Sequence, residues 1–283
     1  MKDTIYSING PVVTVRDTDT FEMMEMVYVG AAGLVGEVIS VNEHRTTIQV
    51  YENTTGLRIG EPVKGTGAPL SATLGPGIMQ NIFDGIERPL KEIAQQSGAF
   101  IGAGMHVSSL DEERLWDVTV CIKEGQTVSG GEVIATCPET SIITHKSMVP
   151  PDVQGVVRWV APSGKYNVVT PICVVETETG EKKEICLAQK WPIRIPRPVK
   201  SRQPIGKPLI TGQRVIDTLF PIAKGGAAAV PGGFGTGKTM TQHQLAKWSD
   251  ADIIIYVGCG ERGNEMTQVL TEFSELEDPK SGK

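Results

Sequence analysis

The sequence predicts a mixed fold, in which an N-terminal β-barrel and an inserted β-rich module precede the beginning of an α/β region. Short segments rich in β-branched residues fill the first seventy positions, and a second group of such segments lies at about 115–191. After them, a glycine-rich loop joins a short apolar run to a helical stretch. The first two observations indicate β modules, and the third is the order of elements in an α/β unit.

The N-terminal strands are separated by turn sequences such as Asn9-Gly10-Pro11 and Thr55-Gly56. Several short strands at this spacing favour a small closed barrel over an open sheet. The predicted strands are residues 5–8, 12–15, 26–29, 33–41 and 46–51.

A connecting segment with a helix follows the barrel, and we expect it to pack on the α/β region. Ile78, Ile82, Phe83 and Ile86 would share one face of that helix. Pro89 breaks or kinks the helix, unless a new helix starts there.

The inserted module is predicted from a second set of strands separated by glycine turns. A proline-containing linker follows at 192–208, and α/β character begins at Ile210. The expected domains are therefore 1–70, 71–114, 115–191 and 192–283. The predicted strands of the module are residues 118–122, 132–136, 142–146, 155–160, 167–175 and 183–187.

Composition excludes several classes of protein. A net charge of −6 without a basic stripe argues against a nucleic-acid or membrane-surface binder. Five cysteines form no C-x-x-C pair, and together with the lack of a signal peptide they indicate reduced thiols in a cytoplasmic setting. No apolar run reaches the roughly 20 residues of a membrane-spanning helix, so we expect any link to a membrane to be indirect.

The glycine-rich loop matches the pattern G-x-x-x-x-G-K-[ST]. It lies between an apolar run at 226–230, which suits a buried parallel strand, and a helical stretch from Lys238 to about Trp248. Backbone N–H groups and the helix N-terminus would surround phosphate oxygens, Lys238 would reach the β- and γ-phosphates, and Thr239 would bind Mg²⁺. The predicted nucleotide-binding residues are Gly232, Gly233, Phe234, Gly235, Thr236, Gly237, Lys238, Thr239 and Met240.

A second loop, at 258–263, follows another apolar run at 253–257. A right-handed crossover would make the two runs parallel strands, so both loops would open at one edge of the sheet. Glu261 could then align a water for attack on the phosphate, and Arg262 could stabilise the transferring group. The alternative is that both residues form a salt bridge or cap the next helix.

With these loops, the sequence closely resembles the catalytic A subunit of V/A-type rotary ATPases. The matching stretches are Gly232–Thr239, 210–217, 242–250 and 258–266, and the resemblance covers the whole chain. The module at 115–191 is similar to the insertion that separates these A subunits from the β subunits of F-type ATP synthases.

The resemblance implies a site for ATP or ADP with Mg²⁺, in which Lys238, Glu261 and Arg262 are catalytic. It also implies B subunits that alternate with this subunit in a hexameric ring and supply an arginine in trans. Central and peripheral stalk subunits would connect the ring to a membrane sector that moves H⁺ or Na⁺. The subunit would be cytoplasmic and peripheral to the membrane.

Two departures from the family accompany the resemblance. Gly233 stands where the family usually has proline or alanine, which should make the loop more flexible. No run of four apolar residues ending in aspartate follows the loop. We therefore expect a truncated N-terminal part of the subunit, which is inactive alone.

Three rival interpretations remain. A ring-shaped helicase or RNA translocase should carry a basic, aromatic barrel face, whereas residues 1–70 hold five basic residues against more numerous acids. A biotinyl- or lipoyl-like binding module would modify Lys146, which lies one residue further from Met148 than that pattern requires. A non-catalytic B-type subunit is disfavoured by the intact Lys238 and Glu261.

Overall fold

The computed structural model describes residues 3–16, 19–79, 81–199, 201–233 and 235–274. The chain divides into two compact units, residues 1–198 and residues 199–283. The described part of the chain has no helix that is both long enough and apolar enough to span a bilayer.

Six antiparallel strands form the N-terminal sheet, in the order β1-β2-β5-β4-β3-β6. The Ile5 amide donates to the Glu61 carbonyl (2.8 Å) and the Val63 amide to the Asp3 carbonyl (2.8 Å), which joins the first strand to the last. Closure leaves no free edge and confirms the predicted barrel. The strands are β1 (Ile5–Asn9), β2 (Val12–Arg16), β3 (Glu25–Val29), β4 (Leu34–Asn42), β5 (Arg45–Val50) and β6 (Val63–Pro69).

Side chains of the barrel alternate between interior and exterior, as the two-residue period of a strand requires. In β3, Val27 and Val29 are fully buried, whereas Tyr28 between them is half-buried. The last strand, β6, was not predicted. Its sequence contains two glycines and a proline, which have low strand propensity, and its pairing with β3 fixes it in the sheet.

The connecting segment contains β7 (Ser71–Leu74) and helix α1 (Leu90–Ser97). The helix predicted over residues 78–86 is wrong, and the alternative start after Pro89 is confirmed. Asp84 explains the difference, because its carboxylate accepts hydrogen bonds from the amides of Ile86 (3.1 Å) and Arg88 (2.8 Å). Such side-chain bonds stabilise a turn in competition with a helix.

The inserted module consists of two four-stranded sheets, ordered β11-β10-β8-β13 and β15-β14-β12-β9. Their facing sides share one apolar core that includes Val128, Ile134 and Ile172, all fully buried. This confirms the predicted β-rich module. The strands are β8 (Trp116–Val120), β9 (Thr127–Val128), β10 (Val133–Pro138), β11 (Thr144–Met148), β12 (Gly155–Val160), β13 (Gly164–Tyr166), β14 (Pro171–Thr177) and β15 (Lys182–Cys186).

Lys146 lies within β11, paired with Thr136 of β10, and not in a hairpin turn. This position does not match the tight turn that carries the modified lysine in the biotinyl or lipoyl interpretation. After the module, β16 (Gln189–Pro192) returns to pair with β7.

The second unit contains the glycine-rich loop and its helix. Its elements are β17 (Pro208–Leu209), α2 (Arg214–Leu219), β18 (Ile222–Ala223), α3 (Lys238–Trp248) and α4 (Gly263–Ser274). The predicted helix after the loop is therefore confirmed as α3.

The two parallel strands predicted on either side of α3 are wrong. Within the described residues, neither 226–230 nor 253–257 pairs as a strand, and Ile255 and Val257 are 84% and 77% exposed. A buried parallel strand needs a hydrogen-bonded neighbour and cover on both faces. The described part of this unit supplies neither, so apolar composition alone does not make these runs strands.

Candidate functional site

The glycine-rich loop leads directly into α3 through a left-handed turn. Gly237, with φ of 83°, is the residue before the helix, and its carbonyl accepts the Thr241 amide at 2.9 Å. Gly235 also has a positive φ, 77°. A side chain at either position would strain the backbone, so glycine is required for the turn. The N-terminus of α3, which favours anions, therefore faces the loop.

Lys238 folds back over this loop. Its ammonium donates to the carbonyl of Gly233 at 3.2 Å and makes a closer contact with the carbonyl of Gly232. The Thr236 hydroxyl donates to the same Gly233 carbonyl at 2.9 Å. A Cβ on Gly232 would lie only 2.5 Å from Thr236 Oγ1, so that position also needs glycine. The Lys238 ammonium is therefore positioned at the loop.

The other predicted loop residues are placed as follows. Thr239 and Met240 are the second and third residues of α3, where Thr239 is half-buried and Met240 is 52% exposed. Phe234 lies outside the described residues.

The carboxylate of Glu261 is held by Tyr256. The Tyr256 hydroxyl lies 2.9 Å from Oε2 and 3.1 Å from Oε1 of Glu261, within hydrogen-bond distance of both oxygens. A side chain on Gly258, at the start of this loop, would collide with the thioether of Met266, so glycine permits the close turn. Arg262 is exposed immediately before α4, and its carbonyl accepts the Met266 amide at 3.1 Å.

Tyr256 belongs to an aromatic cluster that joins α3 to α4. Its ring centroid lies 5.4 Å from Phe273 and 5.9 Å from His243, and His243 and Phe273 are 5.8 Å apart. All three pairs have edge-to-face geometry, with interplanar angles of 69–84°. The cluster therefore fixes the ring of Tyr256 between the two helices.

Burial and the neighbouring Glu261 together raise the pKa of Tyr256 to about 12, with a smaller contribution from Glu265. Burial and negative charge both disfavour a phenolate. The phenol is therefore protonated at neutral pH and is able to donate to Glu261.

A polar group ties the same two helices at the edge of the cluster. Glu272 of α4 accepts from Lys247 of α3 at 2.6 Å and from Gln268 at 2.5 Å, and it lies 3.8 Å from Nδ1 of His243. The hydrogen bond from Lys247 is the first cause that holds the pKa of Glu272 below its usual value. His243, at 1% exposure, makes no hydrogen bond through either ring nitrogen within the described residues.

Asp217 organises the segment that supports α3. It accepts the Thr211 amide at 2.9 Å, the Thr211 hydroxyl at 2.7 Å and the Gly212 amide at 3.1 Å. Gly212 has φ of 77°, and a Cβ there would lie 2.8 Å from the Cβ of Trp248 at the end of α3. This packing joins α2 to the last turn of α3.

The predicted site residues thus form two local groups. Among the hydrogen bonds of the described residues, those of the Lys238 ammonium go to Gly232 and Gly233, and those of the Glu261 carboxylate go to Tyr256. Sequence reasoning missed Tyr256 and His243. Tyr256 carries the one hydroxyl in the apolar run 253–257, and that signal could have identified it.

Three domain families cover most of the chain. The ATP synthase alpha/beta family beta-barrel domain matches residues 5–67. The ATP synthase alpha/beta subunit barrel-sandwich domain matches residues 107–194, and the nucleotide-binding domain of the same family matches residues 212–281.

Individual proteins match over the whole chain. The V-type ATP synthase alpha chain of Halothermothrix orenii is 58% identical over 282 residues, which is 100% of this chain and 48% of that protein. The V-type ATP synthase alpha chain 2 of Clostridium tetani is 57% identical over 278 residues, which is 98% of this chain and 47% of the relative. An archaeal relative, from the A-type ATP synthase of Methanopyrus kandleri, is 55% identical over 283 residues, again 100% of this chain and 48% of the relative. This chain therefore spans about half the length of these curated relatives.

A solved structure shows the same fold at much lower identity. The assembled ATPase EscN of the enteropathogenic E. coli type III secretion system matches with a TM-score of 0.54 and 18% identity. The match covers 99% of this chain and 45% of that chain. The barrel, the barrel-sandwich module and the start of the nucleotide-binding domain occur here in the order of the three matched families, and the chain belongs to the ATP synthase alpha/beta family.

Proposed function

We propose that this chain carries the phosphate-binding and water-orienting residues of the catalytic subunit of a V/A-type rotary ATPase. The observation that carries the proposal is the loop at 232–239, in which Lys238 lies over a glycine turn that enters α3. The subunit would couple hydrolysis or synthesis of ATP to transport of H⁺ or Na⁺ through a membrane sector.

The loop residues fit a polyphosphate. Gly232 leaves no room for a side chain, and Gly235 and Gly237 take left-handed conformations that allow backbone N–H groups to turn towards an anion. Bound phosphate oxygens would compete with the carbonyls of Gly232 and Gly233 for the Lys238 ammonium. Lys238 would then neutralise charge on the β- and γ-phosphates.

Thr239 is the residue of the loop that fits Mg²⁺. Its hydroxyl is a hard oxygen donor, the type of ligand that Mg²⁺ prefers together with phosphate and water. Bound Mg²⁺ would supply positive charge to the phosphates.

Glu261 and Arg262 would act on the terminal phosphate. An ionised Glu261 can accept a hydrogen bond from water and align that water for in-line attack. The Arg262 guanidinium can stabilise charge on the transferring group. The alternative role for Glu261, a cap or salt bridge at α4, finds less support, because its carboxylate bonds to a phenol of the preceding segment.

The proposed partners are B subunits that alternate with this subunit in a hexameric ring, with central and peripheral stalk subunits. An arginine from a neighbouring B subunit would complete the site. We therefore expect the 283-residue chain by itself to bind ATP or ADP without sustained turnover. Steady hydrolysis above the background of a Lys238→Ala variant would contradict this.

Nucleotide binding tests the proposal directly. Titration of the chain with a fluorescent ADP analogue and Mg²⁺ should give saturable binding, which Lys238→Ala weakens at least about tenfold because a charge-assisted contact with phosphate is lost. Lys165→Ala, in β13 of the inserted module, is the matched control and should bind as the unchanged chain does. Equal affinity of the Lys238→Ala and Lys165→Ala variants would overturn the proposal.

A further inference from the structure

We propose that Tyr256 is a positioning residue for catalysis, which holds the Glu261 carboxylate in the orientation that aligns the attacking water. The inference rests on the proposed function, since it assigns to Glu261 the task of orienting water.

The first argument is the contact itself. The phenol oxygen lies 2.9 and 3.1 Å from the two carboxylate oxygens, so its single hydrogen is directed between them. A carboxylate has about four lone-pair sites, and this contact leaves the others available to a water molecule. Tyr256 thus restricts rotation of the carboxylate without occupying all of its accepting capacity.

The second argument is the rigidity of the donor. The Tyr256 ring is half-buried and packs edge-to-face on both His243 and Phe273. A group placed by packed rings keeps its geometry better than one placed by a loop alone. The position of the hydroxyl is therefore set by α3 and α4.

The third argument is continuity with the phosphate-binding loop. His243 lies five residues after Lys238 on α3, and its ring, at 1% exposure, contacts Tyr256. One helix thus carries the loop lysine at its start and supports Tyr256 just over one turn later. A phosphate bound at the loop and the carboxylate of Glu261 would be referenced to the same rigid element.

The protonation state of Tyr256 suits a permanent donor. Its pKa is raised to about 12 by burial and by Glu261, so the hydroxyl keeps its hydrogen throughout the physiological range. The interaction therefore acts by orientation and does not require Tyr256 to gain or lose a proton.

The kinetic test uses the complete catalytic subunit, assembled with its partner subunits. Tyr256→Phe keeps the ring packing and removes only the hydroxyl. We expect kcat for ATP hydrolysis to fall at least about tenfold, with KM changed less than about twofold, because orientation of water matters in the transition state and not in binding.

Tyr166→Phe is the matched control. It also removes a hydroxyl that donates a hydrogen bond, to the Pro162 carbonyl at 2.7 Å, but within the inserted module. It should leave both constants unchanged. An unchanged kcat in Tyr256→Phe, or a rise in KM as large as the fall in kcat, would overturn the inference.

A spectroscopic test uses the 283-residue chain and needs no turnover. With ¹³Cζ-labelled tyrosine, the Tyr256 signal is identified by its loss in Tyr256→Phe. We expect it to remain protonated at pH 11 in the unchanged chain, because its pKa is raised to about 12, and to ionise near pH 10 in Glu261→Ala. The same titration in both chains would show that the two residues do not interact, which would also overturn the inference.

The two levels of the proposal fail in different ways. If Lys238→Ala binds nucleotide normally, the proposed function fails. If Lys238→Ala loses binding while Tyr256→Phe keeps full kcat, only the positioning role of Tyr256 fails.

Discussion

Arg194 and Glu37 form a two-pronged ion pair across 157 residues of sequence, in which Nε lies 3.0 Å from Oε1 and Nη2 lies 2.6 Å from Oε2. Glu37 lies in β4 with only 1% of its surface exposed, and its Oε2 also accepts the Tyr51 hydroxyl at 2.5 Å. The pair attaches the segment after β16 to the wall of the barrel. A buried carboxylate in a barrel strand is stable here because three donors satisfy it.

Glu37→Gln should therefore destabilise the barrel. An amide cannot accept from both prongs of the guanidinium, and hydrogen bonds to a charged group are worth about 1.5–3 kcal/mol. We expect a loss of about that size in the free energy of unfolding, measured by urea titration with circular dichroism. Glu178→Gln, at an exposed position, is the control and should change it by less than about 0.5 kcal/mol. Equal stabilities of the two variants would contradict the assignment.

The same pair predicts a pH dependence. The hydrogen bonds from Arg194 hold the pKa of the Glu37 carboxyl below its usual value near 4.5, against the opposite effect of burial. A lowered pKa in the folded state means that this stabilisation is present above about pH 4.5 and is lost as the pH falls through the folded-state value. Unfolding measured from pH 7 to pH 3 should show a steeper loss of stability in the unchanged chain than in Glu37→Gln. Parallel curves would show that Glu37 does not contribute.

Arg88 offers a comparison between a buried and an exposed ion pair. Its guanidinium bonds to Asp84 at 2.7 Å and to Glu52 at 3.0 Å, and the three side chains are 6–15% exposed. Arg88→Met leaves two carboxylates unpaired in a buried site, so we expect a loss of about 3–5 kcal/mol in unfolding free energy.

The control is Arg158→Met. Arg158 pairs with Glu176 at 2.9 Å, and these side chains are 54% and 30% exposed. Solvent-exposed pairs contribute about 0–1 kcal/mol. A loss in Arg88→Met as small as in Arg158→Met would show that the connecting segment is not held by this network.

The two glycines of the phosphate-binding loop should respond differently to alanine. Gly237 has φ of 83°, so Gly237→Ala imposes about 1–2 kcal/mol of backbone strain and should weaken ADP binding. Gly233 does not have a positive φ, and a Cβ there would meet no atom within 4 Å, so Gly233→Ala should bind ADP normally. Fluorescence titration of both variants tests the difference. Normal binding by Gly237→Ala would show that the left-handed turn is not needed.

Local sequence predicted much of the β structure, for a clear physical reason. Strands such as β3, β5 and β12 combine β-branched residues with a two-residue alternation, and turns with glycine and proline bound them. Strand β6 lacks that composition, and its place in the barrel depends on pairing with β3. The run 253–257 shows the opposite case, since its composition favours a strand that the described chain does not pair.

The candidate site was predictable only in part. The spacing of glycines and of Lys238 identifies a phosphate-binding loop because backbone geometry requires those residue types at those positions. Glu261 was identified from the loop that follows the second apolar run. Its hydrogen bond to Tyr256 was not, because the bond depends on how the loop turns at Gly258.

By itself, the sequence determined the barrel, the inserted β module, the phosphate-binding loop and the family, all of which depend on local composition or on short fixed spacings. Only the tertiary structure decided that Arg194 returns to Glu37 of the barrel, and that Tyr256 packs between His243 and Phe273 and holds Glu261. These contacts join residues from separate elements, and their distances depend on how helices and strands pack, which no local pattern in the chain specifies.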